Sequence, residues 1–379
     1  SKRLHKACQS LVNKYTALRT VFSDINNETI HQVILKNQEV SFELIDISQC
    51  TALERKEKIE QHTLQSKQLI VSELPLVKFI VFKQEEQNHR VLCITHHIAI
   101  DGWSIPQMLD RLWEEYYNAE QTALETEAPA LLYNQWLNGL DVSAAKGYWH
   151  DQFIGIGSPT LLNIENPADN REAVRKCIHV NINDGLMGQL HHLVRSLNVT
   201  ANTLFQAAWG YLLHRYSGEN KVVFGTVTSG RTPEILGMEQ MLGMFMNTIP
   251  VIQNIPANDC ISSWIQQLHK DHILREKNSF LPLSDVAKLT EFNNGVPLFD
   301  SLIIVQNKPA SEQGKSDGLG FVLENFKMDE FSHYAISLDI EYGDQISMMF
   351  KFNEAKFTAQ NIERLAACYE TILRQMITH

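Results

Sequence analysis

The sequence predicts an α/β protein built as two similar lobes with a cleft or tunnel between them. Three observations carry this. Segments that alternate apolar and polar residues, as half-buried strands do, are interleaved along the chain with segments of helical period. The mixed pattern is completed by about residue 138 and then starts again. With 379 residues the chain has room for one large domain or two of ordinary size. The lobes are placed at residues 1–138 and 139–379.

In the first lobe, Leu4, Ala7, Cys8, Leu11 and Val12 recur at helical spacing, and Val21-Phe22 opens a strand. "ETIHQVIL" and "VSFELIDIS" alternate as strands, and "TALERKEKIEQHTLQSKQL" is a charged amphipathic helix. "PLVKFIVFKQ" and "HRVLCITHHI" flank the polar "EEQN", which makes a β-hairpin ending at a pair of histidines. "SIPQMLDRLWEEYYNAE" is a helix that Ser104 is suited to cap, with Pro106 in its first turn. "QTALETEAPALLYNQWLNG" reads as the crossing segment between the halves.

In the second lobe, "DGLMGQLHHLVRSLNVTANTLFQAAWGYLLHRYSG" is two helices broken near Asn198-Val199. "KVVFGTVTSGR" is a strand ending in a glycine turn, "CISSWIQQLHKDHILREKN" a helix, and "LFDSLIIVQNKP" a buried strand. "YAISLDIEYGDQISMMFKFN" is a hairpin turning at Tyr342-Gly343-Asp344, and "TAQNIERLAACYETILRQMI" closes the chain as a helix.

Composition narrows the function. A net charge of −11 disfavours nucleic acid and anionic membranes, both of which require a basic face. No apolar run approaches the ~18 residues of a membrane span, and the amino-terminal "SKRLHKACQS" lacks the apolar core of a signal peptide, so a cytoplasmic location is expected. The six cysteines are widely spaced, which points to buried free thiols rather than a zinc knuckle or a disulfide framework. No GxSxG, Walker loop or GxGxxG follows a strand.

The chemistry-bearing stretch is "ITHHIAIDGWS", Ile94 to Ser104. Neighbouring residues of a strand point to opposite faces, so His96 and His97 do not converge on one metal ion. Asp101 follows His97 by four, and Gly102 allows a tight turn. That carboxylate either folds back to orient an imidazole or pairs with a base from another segment and fixes the loop; spacing does not choose. A second pair, His191-His192, has no matching aspartate and sits in mid-helix as surface. His269 and His272, three apart on a helix, read as a solvated face, since no third ligand is near in sequence.

At this point the residues resemble a family. "HHIAIDGWS" resembles the HHxxxDG motif of condensation domains of non-ribosomal peptide synthetases, which share a chloramphenicol-acetyltransferase-like fold. "ALRTVF" is similar to the end of RHExLRTxF, and "LLYNQWL" loosely to YxDYAxW. "FGTVTSGR" and "GMEQMLGMFMNTIPV" resemble the segment carrying GxFxNT, here Gly243, Phe245, Asn247 and Thr248. "NSFLPLSDV" and "PLFDSLIIVQNKP" resemble the two late motifs, so the resemblance spans nearly the whole chain in order. The family's opening SxAQxRxW motif and first strand have no counterpart here, and Lys14-Tyr15-Thr16 stand where it has Arg-His-Glu.

The resemblance implies two chloramphenicol-acetyltransferase-like lobes in a V around a central tunnel. It also implies amide formation: the α-amine of a carrier-bound aminoacyl thioester attacks a carrier-bound donor acyl or peptidyl thioester. His97 is implied as general base or positioning group and His96 as loop support. Asp101 is expected to be chiefly structural, paired with Arg19, and Trp103 to support the site. Gly102 either lends its N–H to the oxyanion or permits the turn. Ser229 and Asn247 are expected as polar groups of the substrate tunnel, with Met244 and Met246 either lining it or lying with Phe245 in the core. No metal and no intrinsic cofactor are expected. Phosphopantetheine arms come from the partners, the upstream donor and downstream acceptor peptidyl carrier proteins, with an adenylation domain as neighbour.

An intact His pair disfavours heterocyclisation and recruitment domains, and the FxNT pattern disfavours epimerisation. Two competing readings stand beside amide formation. One is a CoA-dependent or starter-type acyltransferase of the same fold, which turnover with acyl-CoA would reveal. The other is a non-catalytic recruitment module, which a tunnel plugged by side chains would reveal.

Overall fold

The computed structural model describes residues 2–23, 30–66, 76–117, 128–162, 164, 175–182, 185–258, 260–291, 297–307 and 334–378. The chain divides into two compact units. One comprises Ser1–Leu140 with Arg231–Met246, the other Asp141–Gly230 with Asn247–His379. The first break falls at residue 140, two positions after the expected one. The second unit is not continuous: residues 231–246 pack with the first.

In the first unit, helix α1 (Lys2–Lys14) buries Leu4, Ala7, Cys8, Leu11 and Val12, the five residues whose spacing predicts it. A 3-10 turn, Thr16–Arg19, leads into β1 (Thr20–Ser23), which pairs antiparallel with β2 (His31–Ile34). Strand β3 (Ser41–Asp46) is followed in sequence by α2 (Ala52–Ser66) and lies parallel to β4 (Val77–Lys83). Strand β5 (His89–Thr95) returns antiparallel to β4, as the hairpin pattern predicts. Helix α3 (Ser104–Tyr117) follows the histidine loop, and α4 (Pro129–Asn138) takes most of the segment expected to cross between halves.

Strand β4 is the middle of three and is buried on both faces. Phe79 and Val81 meet α1 and α3, while Ile80 and Phe82 join Ile47 and Ile59 on the other side. The near-continuous apolar run "VKFIVF" is what a doubly covered strand requires.

The second unit opens with α5 (Val142–Phe153), whose start is capped by Asp141 accepting from the Ala144 N–H at 2.9 Å. It continues through β6 (Arg175–Ile182), α6 (Leu186–Leu197), α7 (Ala201–Ser217), β7 (Lys221–Thr228) and β8 (Asn247–Asn254). It ends with α8 (Ile261–Lys277), α9 (Leu283–Ala287), β9 (Ser301–Asn307), β10 (Ile336–Tyr342), β11 (Ile346–Asn353) and α10 (Ala359–Thr378). One six-stranded sheet has the order β6-β11-β10-β9-β7-β8; β7, β9 and β10 run parallel, and the outer pairings are antiparallel. The predicted break between α6 and α7 is real: Asn198 adopts the left-handed conformation at φ 54°, and Thr200 caps α7. Gly210 lets α7 approach the sheet, since a Cβ there would stand 1.9 Å from Gln253 Oε1.

Two expectations are corrected. Cys177, Cys260 and Cys368 are exposed; of the six free thiols, only Cys8 is fully buried. The His269–His272 face is not solvated either. His269 Nδ1 lies 3.2 Å from Thr203 Oγ1, and His272 Nδ1 lies 3.1 Å from a guanidinium nitrogen of the buried Arg275. Arg275 also donates to Gln206 Oε1 at 3.0 Å. Among the described residues, no helix is long and apolar enough to cross a membrane.

Burial, then Arg275 and His269, depress the His272 imidazole to about 4. As pH falls below the ordinary histidine value of ~6.5, the unfolded chain takes a proton that folded His272 refuses. Stability is therefore lost from about pH 6.5 down to about pH 4. Denaturation midpoints across that range should show an acid slope that His272→Gln makes shallower; equal slopes in both chains would refute the assignment.

Candidate functional site

The site is built in the first unit from the turn between β5 and α3. Strand β5 ends at Thr95, and the His96 N–H donates to the Leu76 carbonyl at 2.9 Å. The His96 ring then stabilises its own turn, its Nδ1 accepting from the Ile98 N–H at 3.1 Å while the Ala99 N–H returns to the His96 carbonyl at 3.0 Å. An acceptor Nδ1 requires a ring without a proton there, and burial, followed by the charge of His97, lowers the His96 pKa in the same direction. His97 projects from the same turn and is exposed.

Asp101 is 0% exposed, and both its oxygens are saturated. Oδ1 accepts from the Ser104 N–H at 2.9 Å and the Ser104 hydroxyl at 2.8 Å. Oδ2 accepts from the Phe245 N–H at 3.1 Å and Arg231 Nη1 at 2.9 Å, while Arg231 Nη2 reaches Oδ1 at 3.3 Å. The Asp101 N–H itself donates to the Gly243 carbonyl at 3.0 Å. The start of α3 is therefore held by Asp101; Ser104, expected as the cap, donates to it instead.

Arg231 is the partner that sequence reasoning missed. Arg19, expected in that role, donates to the Asn13 and Leu35 carbonyls and ties α1 to the β1–β2 ribbon. The expectation failed because the partner comes from 130 positions downstream. A signal was present in "TSGR": Gly230 has a positive φ of 63°, a turn that glycine takes without strain, and the next residue delivers the guanidinium. Gly102, by contrast, is not among the positive-φ residues.

A stripe on α3 completes the attachment of residues 231–246. The Trp103 indole N–H and Gln107 Nε2 both donate to the Glu239 carbonyl, at 3.3 and 2.7 Å, and Arg111 donates to the Gln240 carbonyl. Ser104, Gln107 and Arg111 share one helical face, a periodicity visible in the sequence but unreadable without the strip of carbonyls it meets. Trp103, 52% exposed, is tied to this strip from the turn ahead of the helix. From α4, the Trp136 indole donates to Glu234 at 2.6 Å, and Tyr133 meets the Phe245 ring edge-on at 5.3 Å.

The remaining predicted residues divide. Phe245 is 3% exposed and belongs to the core, Met244 is 40% exposed, and Met246 is half-buried. Ser229 and Asn247 lie in the second unit. Asn247 spends both hydrogens of its amide on the Ser279 and Leu281 carbonyls, each at 2.7 Å, so it pins the loop after α8 rather than offering donors to a substrate. Among the described residues, no three His, Cys, Asp or Glu side chains are placed to share a metal ion.

Removing one member of a buried ion pair leaves an uncompensated charge and costs about 3–5 kcal/mol. Asp101→Ala and Arg231→Ala should each lower the unfolding free energy by about that amount, while Arg19→Ala should cost clearly less. Chemical denaturation of the three variants decides this. Equal losses at Arg19 and Arg231 would contradict the assignment.

The family model for the Condensation domain matches residues 1–379. Tyrocidine synthase 2 of Brevibacillus parabrevis is 27% identical over 371 residues, an alignment covering 96% of this chain and 10% of that protein. Surfactin synthase subunit 2 of Bacillus subtilis (strain 168) is 28% identical over 370 residues, covering 95% and 10% respectively. The chain therefore spans a small fraction of the curated relatives it matches. Among solved structures, a four-domain nonribosomal peptide synthetase bound to AMP and glycine superposes with a TM-score of 0.82 at 20% identity, over 100% of this chain and 30% of that one.

Proposed function

Because the chain belongs to the Condensation domain family, we propose that it forms an amide between two carrier-bound thioesters. The α-amine of an aminoacyl thioester attacks the carbonyl carbon of a donor acyl or peptidyl thioester. A C–N bond forms, the C–S bond breaks, and the released thiolate takes up a proton. The donor and acceptor arrive as substrates on the phosphopantetheine arms of upstream and downstream carrier proteins, loaded by a neighbouring adenylation domain. The relatives named above, synthases of tyrocidine and surfactin, support this reading.

The observation that carries it is the division of labour within the histidine–aspartate turn. Asp101 has no oxygen left for chemistry, and His96 is committed to its own turn. Among the motif's ionisable side chains, His97 is the one that stands exposed. A thioester is already activated, so the step needs neither a covalent nucleophile nor a metal. A free α-amine titrates near ~7.7–8.0 and is partly neutral at cellular pH. The burden is positioning, and removal of one proton as the tetrahedral centre forms. Imidazole, with an ordinary pKa near ~6.5, is the side chain suited to accept it. Met244 offers an apolar contact to the substrate beside this turn.

In the full-length protein, His97→Ala should lower amide formation between loaded carriers by about a hundredfold or more with an unchanged melting temperature. Full turnover in that variant would end the assignment. Turnover with acyl-CoA and a free amine, but none with carriers, would transfer the chain to CoA-dependent acyl transfer.

A further inference from the structure

Ser104 has a position that its place in the motif does not explain. Its side chain is wholly buried, and its Oγ has four polar neighbours. Asp101 Oδ1 lies at 2.8 Å, the Gly243 carbonyl at 3.1 Å, Arg231 Nη2 at 2.8 Å and the Gly243 N–H at 3.3 Å. A hydroxyl has one proton and two lone pairs. Arg231 and Gly243 occupy the lone pairs, and the proton goes to the nearer, charged acceptor, Asp101. The Gly243 carbonyl keeps the Asp101 N–H. Both backbone groups of Gly243 are thus held, one by Ser104 and one by Asp101, and the Phe245 N–H is held by the Asp101 carboxylate.

Met244 sits between these two pinned residues and points outward. The backbone on either side of it has little freedom. A Cβ on Gly243 would stand 2.7 Å from the Phe245 ring, and that ring packs 4.9 Å beneath the Arg231 guanidinium. The other members of the α3 stripe, Gln107 and Arg111, grip carbonyls at positions 239 and 240 and do not reach Gly243. Ser104 is the member of the stripe that does.

We propose that Ser104 is a positioning residue whose hydroxyl fixes the Gly243–Phe245 backbone and thereby presents Met244 as a size-selective contact for the substrate side chain. The proposal deepens, and rests on, the reading of Met244 as a substrate contact. Without the hydroxyl, the Gly243 N–H is buried with its acceptor gone, a loss that local opening relieves.

The test uses the full-length protein with alanyl and leucyl N-acetylcysteamine thioesters, offered in turn as donor and as acceptor. Met244→Ala should shift the leucyl-to-alanyl ratio of kcat/KM several-fold in one of the two series. Ser104→Ala should move that ratio in the same direction, and Met244→Ala added to it should change little more. Amide hydrogen exchange at Gly243 and Phe245 should quicken about tenfold in Ser104→Ala, and Ser104→Thr, which keeps the hydroxyl, should recover the slower exchange and the original ratio. A ratio is insensitive to how much protein is folded, so a merely structural serine would lower turnover without moving it. Unchanged exchange at residues 243–245, or a Ser104→Ala ratio equal to that of the unsubstituted chain, overturns the proposal. If Met244→Ala leaves both ratios unmoved, the substrate contact is wrong and the selectivity role falls with it. The exchange data still report whether Ser104 holds the backbone, and His97→Ala independently reports on amide formation.

Discussion

The buried pair of Asp101 and Arg231 is the interaction on which the first unit's functional end depends. Two charges withdrawn from water are tolerated only when their hydrogen-bonding capacity is met. Here the carboxylate receives five donors from three separate stretches of chain: the start of α3, Arg231 and the Phe245 backbone. The arrangement joins residues 130 or more positions apart, and it accounts for residues 231–246 grouping with the first unit although the chain on either side belongs to the second. Asp101 is thereby a structural anion. Its conspicuous place in a catalytic-looking motif follows from what it holds in position.

That division separates two kinds of histidine standing side by side. His96 gives its Nδ1 to the Ile98 N–H, and partial burial favours the neutral ring this bond needs. It keeps the turn rigid from within, as Asp101 does from below. His97 is left exposed in a turn that spends its neighbour's ring on its own backbone. The general base proposed for His97 needs an accessible nitrogen on a backbone that does not wander, and the turn supplies rigidity and exposure through different residues.

The second unit handles a buried cation differently. Arg275 meets neutral partners, Gln206 and His272, where Arg231 meets a carboxylate. Its charge helps to keep His272 deprotonated, making that imidazole an acceptor instead of a second buried cation. The nearby Thr228 hydroxyl donates to Glu276 at 2.9 Å, so a carboxylate is one residue away along α8 without closing an ion pair on Arg275. What reads in sequence as a solvated face, His269 and His272, is a polar seam between α7 and α8.

Local chemistry was legible in the sequence. The spacing of Leu4, Ala7, Cys8, Leu11 and Val12 predicts the buried face of α1, the two runs flanking "EEQN" a hairpin, Asn198 the break between α6 and α7, and the motif series the family. These features depend on residues within a turn or two of one another, where periodicity and backbone preference decide. The partner of Asp101, the core place of Phe245, the commitment of the Asn247 amide and the burial of His272 were decided by tertiary structure alone. Each rests on which distant backbone carbonyl or charge comes within about 3 Å of a side chain. Spacing in sequence has no access to that distance: Arg19 and Arg231 are equally good bases on paper, and only the folded chain brings one of them to the carboxylate.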